Sequence, residues 1–239
     1  MNRARKRKAA PRPARRAGRI AKMAQPPDFN ARDHLLDTAG RLMADRHVTD
    51  VSLSELAVHS GLNSALVKYY FGNKDGLLLA LVDRDGAAAL RDLQQLLQQD
   101  LSPTEKLRRH IGGIINNFYR RPYLNRLLHS LLDSRREDSA AARQITRSFI
   151  EPVLNLQREL LNQGVKSGEF RSIDPMLFYV SVLGACDHLF NARYALQHFS
   201  GRDTVSDAVR EKYIAHVVDV FVNGISARTG AGTSKRTGK

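Results

Sequence analysis

Apolar positions recur at helical spacing along most of the chain. Leu35, Leu36, Ala39, Leu42 and Met43 form an i, i+1, i+4, i+7, i+8 stripe, which predicts a helix from about residue 30 to 46. Leu53, Leu56 and Ala57 begin a second stripe, Gly61 interrupts it, and Leu66, Val67 and Tyr70 resume it; this spells two short amphipathic helices joined by a tight turn. Ser52 and Glu55 have the S-x-x-E form of a capping box, in which hydroxyl and carboxylate each satisfy a free backbone donor. Gly61 stands where the second helix must end in a left-handed residue, and Asn63 can cap the third. Asn73 can cap a fourth helix running through Leu77, Leu81, Leu90, Leu93 and Leu97 toward Gln99.

Helical signal continues to the end of the pattern. Ser102, Pro103 and Glu105 open a helix carrying Leu107, Ile111, Ile114, Ile115 and Phe118, and Pro122 restarts another with Leu124, Leu127, Leu128, Leu131 and Leu132. A longer helix from about Ser139 to Lys166 should kink or break at Pro152. Gly164 and Gly168 end it, and Asp174 with Pro175 starts the next. The last two helices, about 174 to 199 and 204 to 227, are apolar on more than one side. Phe178, Val182, Ala185 and Leu189 form one row beside Tyr179, Leu183, Cys186 and Phe190, and Ile214, Val217, Val218, Phe221, Val222 and Ile225 repeat the pattern. Surfaces so wide are either central in their own domain or buried by another subunit. No credible alternating strand pattern is present, so the fold class is all-α.

The third helix carries the candidate chemistry. At about 100° per residue, Ser64, Ala65, Lys68 and Tyr69 share one arc, while Leu66, Val67 and Tyr70 fall opposite. Small residues near a helix start allow close approach to base edges, and a lysine and a phenol beside them can bond phosphate oxygens. An ordinary helical hairpin with a solvated face would show the same pattern.

The run LLDTAGRLMADRHVTDVSLSELAVHSGLNSALVKYYFGNKDGLL resembles the amino-terminal DNA-binding domain of the TetR (tetracycline repressor) family of bacterial transcription regulators. The shared features are an apolar first helix, Leu56 and Ala57 in the second, the Ser60, Gly61, Leu62 step, and the Tyr70, Phe71 pair followed by Lys74. The resemblance covers roughly residues 30 to 80. It implies a three-helix helix-turn-helix DNA-binding domain at 28–75, followed by a helical ligand-binding and dimerisation domain at 76–227. It further implies a homodimer reading a palindromic double-stranded DNA operator, repressing until a small-molecule effector binds. Ser52 and Lys74 would act as clamps on the DNA backbone, with Asn63, Ser64, Ala65, Lys68 and Tyr69 completing the interface. Two departures stand out. The family usually has glycine where this chain has His47, so the first helix is expected to close differently, with Arg46 and His47 near its last carbonyls. It usually has tyrosine at Lys68, which reaches phosphate here as a flexible point charge.

Charge changes the picture at the two ends. The formal charge of +14 resides wholly in the ten Lys and Arg of residues 1–27 and the four of residues 228–239, segments that contain no acid; the 24 basic residues between them are matched by 24 acids. Both ends are expected to be disordered basic tails. The first could lie along phosphates or enter a minor groove, or it could be a solubilising or untranslated extension if synthesis starts at Met23. Apolar runs stop short of the ~18 residues of a spanning helix and no secretory signal is visible, which predicts a cytoplasmic protein without a membrane partner. The single cysteine, Cys186, allows no internal disulfide.

Nothing in the sequence asks for an enzyme, a metal or a cofactor. Cys186, Asp187 and His188 are consecutive and so diverge around a helix, and His129 with Asp133 is better read as a surface hydrogen bond. By the resemblance, Phe118, Tyr119, Leu128, Phe149, Phe178 and Leu183 are the bulky residues placed to line an effector cavity, and this lining suggests a largely apolar ligand; each also suits an ordinary core. The competing functional class is a sequence-indifferent nucleic-acid-binding or architectural protein that relies on its basic arms.

Overall fold

A computed structural model describes residues 29–132, 139–192, 196–198, 201 and 205–227. The two basic tails expected from the sequence lie outside the described residues. The helices among the described residues include α1 (Ala31–Arg46), α2 (Leu53–Ser60), α3 (Ser64–Phe71), α4 (Lys74–Leu97), α5 (Pro103–Arg120), α6 (Pro122–Leu131), α7 (Ala140–Ile145), α8 (Glu151–Lys166), α9 (Pro175–Asn191) and α10 (Asp207–Ile225). Among the described residues no strand forms; one isolated antiparallel bridge, Phe170 with Ser226, ties the turn after α8 to the end of α10.

Local chemistry sets the helix ends. Ser52 Oγ accepts from the Glu55 amide at 3.1 Å, Asn63 Oδ1 from Ala65 at 2.8 Å and Asn73 Oδ1 from Gly76 at 2.9 Å, so α2, α3 and α4 each start on a side-chain cap. The capping box is only half formed. The Glu55 carboxylate pairs with Arg46, and that guanidinium holds the carboxyl below its ordinary range. Gly61 adopts φ +68°, which ends α2 and lets the chain turn into α3. His47 takes φ +56°. Its amide reaches Ala44 O at 3.3 Å and that of Val48 reaches Met43 O at 3.2 Å, closing α1 in a Schellman motif. Histidine thus occupies the left-handed position at which the related pattern has glycine, and the expected placement of Arg46 at the last carbonyls gives way to its pairing with Glu55.

Two apolar cores organise the described chain. The first gathers α1, α2, α3 and the first half of α4, and it extends to Tyr123, Leu124, Leu127 and Leu131 of α6 and Ile145 of α7. The second is built around α5, which packs against α4, α6, α8, α9 and α10. Packing therefore runs continuously through residue 75, because α4 contributes Leu77, Leu78, Leu81 and Val82 to one core and Leu93, Leu96 and Leu97 to the other. The long helix expected over 139–166 divides as predicted near Pro152. The proline ring cannot accommodate the carbonyl four residues back, and the turn before it, Thr146–Ile150, widens into a π-helix. That turn carries Phe149 against Gly86 of α4, where an added Cβ would stand 2.9 Å from the ring.

The rows expected to need a partner find one within the chain. Phe178, Val182, Cys186, Val217, Val218, Val222 and Ile225 are buried, and Phe178 meets Phe221 edge to face at 5.7 Å. The exposed apolar residues of these helices lie elsewhere, at Met176, Leu177 and Val180 on α9 and Val220 on α10.

Candidate nucleic-acid interface and cavity

The α3 helix presents two faces. Val67 and Phe71 are buried in the first core, while Ser64, Ala65, Lys68 and Tyr69 are exposed together on the other side. Tyr70, expected on the inner face, is 37% exposed and meets Tyr69 edge to face at 5.4 Å, so the outward surface ends in two phenols rather than one. Only eight residues long, α3 owes its position to packing and caps more than to intrinsic helix stability.

The flanking residues are available in different ways. Ser52 is exposed, and its hydroxyl still has a proton to donate while its oxygen caps α2. Asn63 spends its carbonyl oxygen on the α3 cap and keeps its amide protons outward. Lys74 pairs with Asp50, which is 78% exposed, and so exposed a pair is weak enough to be exchanged for a phosphate.

The second feature is a cavity of about 540 Å³ among α4, α5, α6, α8, α9 and the π turn. Phe118, Leu128, Phe149 and Leu183 line it. Tyr119 and Phe178 do not. The Arg210 guanidinium stacks over the Tyr119 ring at 4.6 Å, and Phe178 is committed to the core with Phe221. The lining also contains His110, Asn125 and Gln157, buried polar residues that helical periodicity had given no reason to single out. Burial holds the His110 imidazole well below its usual range, at about 4, so it is neutral at pH 7.

A polar join connects the cavity wall to the helices beneath α3. Asp85 of α4, 3% exposed, accepts from the Tyr123 hydroxyl of α6 at 2.5 Å and from Arg84 at 3.0 Å, and Arg121 stands 3.4 Å away. Arg84 also reaches Asp37 of α1 at 2.7 Å. The Tyr123 ring lies against Gly40 of α1, where an added Cβ would come within 2.9 Å of its hydroxyl. Burial and the adjacent carboxylate push the Tyr123 phenol up, so it stays a donor.

Of the residues set aside as catalytic candidates, Asp133 lies outside the described residues. Cys186 is fully buried, and burial together with Asp187 pushes its thiol up to about 12. His129 stands 3.8 Å from Asp187. No described helix is long and apolar enough to cross a membrane.

A short capped helix, a left-handed turn and an exposed second helix, mounted on an α-helical body with an internal cavity, define a helix-turn-helix regulator. The chain belongs to the tetR family of bacterial regulatory proteins: the model of that family matches residues 35–81, and that of the tetracyclin repressor-like carboxy-terminal domain matches residues 100–231. Its relatives include the HTH-type transcriptional regulator BetI of Brucella anthropi, 37% identical over 84 residues, which are 35% of this chain and 41% of BetI. The chain thus matches about two fifths of that relative's length. The HTH-type transcriptional repressor NicS of Pseudomonas putida is 22% identical over 201 residues, covering 81% of this chain and 92% of NicS. The structure of FadR from Bacillus subtilis, solved with stearoyl-CoA, shares the fold at a TM-score of 0.60 with 19% identity over 81% of this chain and 98% of FadR. These relatives are named as regulators rather than enzymes.

Proposed function

We propose that this protein is a sequence-specific repressor, a two-fold dimer whose paired α3 helices read a palindromic operator and whose cavity takes a small molecule that releases it. The carrying observation is the outward face of Ser64, Ala65, Lys68 and Tyr69 on a helix whose other side is locked into a core. Ser64 and Ala65, at the helix start, would approach base edges, Lys68 and Tyr69 would bond phosphates, and Ser52, Asn63 and Lys74 would clamp the backbone on either side.

Support for the dimer comes from the outer surfaces of α9 and α10. Leu177 is 66% and Val180 58% exposed, beside Met176, and Val220 stands out on α10. Gly184 and Gly224 leave open space above their backbones, which allows a second copy to come close. Exposed apolar side chains of this kind suit an interface. Two-fold symmetry would set the recognition helices one helical turn of DNA apart, ~34 Å, or a multiple of it.

For release, the cavity ligand must favour a conformation in which the two α3 helices are wrongly spaced. A ~100-fold loss of operator affinity needs a coupling of roughly 3 kcal/mol, and operator must weaken ligand binding equally. Solution of FadR with stearoyl-CoA supports the view that this fold admits small molecules. The concentration of positive charge in the tails favours a second reading, a sequence-indifferent nucleic-acid binder. Selection from random duplexes at raised salt separates the two. A palindromic consensus that survives excess unrelated DNA supports the repressor; recovery of duplexes without consensus supports the second reading.

A further inference from the structure

An excess of cations sets the cavity wall apart from an ordinary apolar core. Arg109, Arg120 and Arg121 line it, and Asp92 is the one carboxylate among its described lining residues. The three arginines are not equivalent. Arg109 bonds Glu105 at 2.9 Å and Gln99 at 3.2 Å, so its charge is already met. Arg120 and Arg121 stand at the other end of α5, about 16 Å of helix away, where it gives way to α6. Arg120 is exposed, and among the described residues no carboxylate pairs with it.

Arg121 has donors to spare. Its guanidinium donates to Asn117 Oδ1 at 2.8 Å and stands 3.4 Å from Asp85. That carboxylate is already satisfied by Arg84 at 3.0 Å and by the Tyr123 hydroxyl at 2.5 Å, which makes Arg121 its most distant partner. A guanidinium carries five N–H donors, and the Arg121 side chain is 35% exposed, so it can meet a further acceptor without abandoning Asp85. Asp92 does not cancel the pair, since it lies two turns along α4 from Asp85, ~10 Å of helix. The carbonyl end of α5 supplies only a partial negative charge.

The rest of the wall is apolar and aromatic, with Leu124, Leu128, Phe149, Val153 and Leu183. An uncharged molecule filling this space would strip water from two guanidinium groups and return few bonds. A carboxylate matches their forks in both charge and geometry.

We propose that this cavity takes an apolar monocarboxylate, its hydrocarbon body against Leu128, Phe149 and Leu183 and its carboxylate on the guanidinium groups of Arg120 and Arg121. The inference rests on the reading of the cavity as the effector site, and it narrows the effector from apolar to apolar with one anionic end.

Matched probes test it on the full chain without DNA: decanoate and 6-phenylhexanoate, each beside its carboxamide. Calorimetric titration compares the wild type with Arg120→Gln, Arg121→Lys and Arg109→Gln at unchanged melting midpoint. The basic tails are common to all four proteins and so drop out of the comparison. The wild type should bind each carboxylate at least tenfold more tightly than its amide. Arg120→Gln should abolish that preference, Arg121→Lys should reduce it by removing the fork, and Arg109→Gln should keep it. Amides that bind as tightly as the acids, a preference that survives Arg120→Gln, or equal losses in Arg120→Gln and Arg109→Gln overturn the proposal. Carbon-13 spectra of carboxyl-labelled decanoate give a readout in the wild type alone. The bound carboxyl should stay ionised to lower pH than the free acid, because adjacent guanidinium groups favour the charged form; a carboxyl that protonates at higher pH than the free acid overturns the assignment. Operator affinity is followed in parallel. Arginine-dependent carboxylate binding that leaves operator affinity unchanged upholds this inference and overturns the effector reading. Amides that match the acids and still release operator do the reverse, and a failure of all four probes to bind overturns this inference.

Discussion

Tyr123→Phe removes one oxygen atom from the join between α6 and α4 and leaves the ring in place against Gly40. The hydroxyl donates to Asp85 at 2.5 Å, and Asp85 is 3% exposed, so water cannot replace the lost donor. A hydrogen bond to a charged, buried acceptor contributes about 1.5–3 kcal/mol. For a protein of this size each kcal/mol moves the midpoint by roughly 2–4 °C, so the variant should melt about 3–12 °C lower. Arg84 and Arg121 still face the carboxylate, which keeps the loss within that range. The assay is thermal unfolding followed by circular dichroism, with Asp85→Asn completing a double-mutant cycle. Because both substitutions act on one bond, the double variant should be less destabilised than the sum of the singles by about 1–3 kcal/mol. The same variant should blunt the effect of any cavity ligand on operator affinity, since α6 carries Leu124, Asn125 and Leu128 in the cavity wall and Tyr123 in the join. Additive singles, or a midpoint unmoved by Tyr123→Phe, would refute the reasoning.

Other outcomes follow from the same structure. His110 is held neutral by burial, with its pKa lowered from 6.5 to about 4, so the unfolded chain binds more protons between those values and stability must fall as pH drops through that window. The contribution is about 3 kcal/mol in full, and His110→Phe should remove it from the difference between denaturation curves at pH 7 and pH 4; parallel pH profiles for the two proteins would contradict the assignment. Val180→Asp or Leu177→Asp should convert the dimer to monomer in sedimentation, because both face outward, whereas variants that still sediment as dimers place the interface elsewhere. A chain beginning at Asp28 should select the same operator but bind it less tightly at low salt. Its plot of log K against log salt should be shallower by ~0.9 for each phosphate that the arm neutralises, and a changed consensus would mean that the arm reads bases.

What the sequence disclosed and what it concealed divide along a physical line. Ser52, Gly61, Asn63 and Asn73 act on backbone groups within three residues, and the spacing of small, polar and apolar side chains around them was enough to place α2, α3 and the start of α4. An irregularity near Pro152 was legible for the same reason, although the proline could not say that the preceding turn would widen into a π-helix and carry Phe149 to Gly86. Properties set by distant partners were hidden. Tyr70 turns outward to Tyr69, Tyr119 is covered by Arg210, and Phe178 is claimed by Phe221, none of which periodicity encodes. Asp85 looked like one more charge on a long helix, yet it accepts from residues up to 38 positions away. His110, Asn125 and Gln157 carried no signal, because a polar residue on a helix is ordinarily solvated and only the folded chain brings these three to one cavity.

The central claim is that the exposed face of α3 reads DNA, and operator affinity of the Ala65→Glu variant tests it most directly. Ala65 is exposed and lies two residues past the Asn63 cap, so a glutamate there leaves the cores untouched and sets a carboxylate against the phosphates. Like charges opposed at an interface cost several kcal/mol. At constant salt and unchanged melting midpoint, affinity for the selected operator should fall at least ~100-fold. Undiminished affinity would show that another surface reads the DNA.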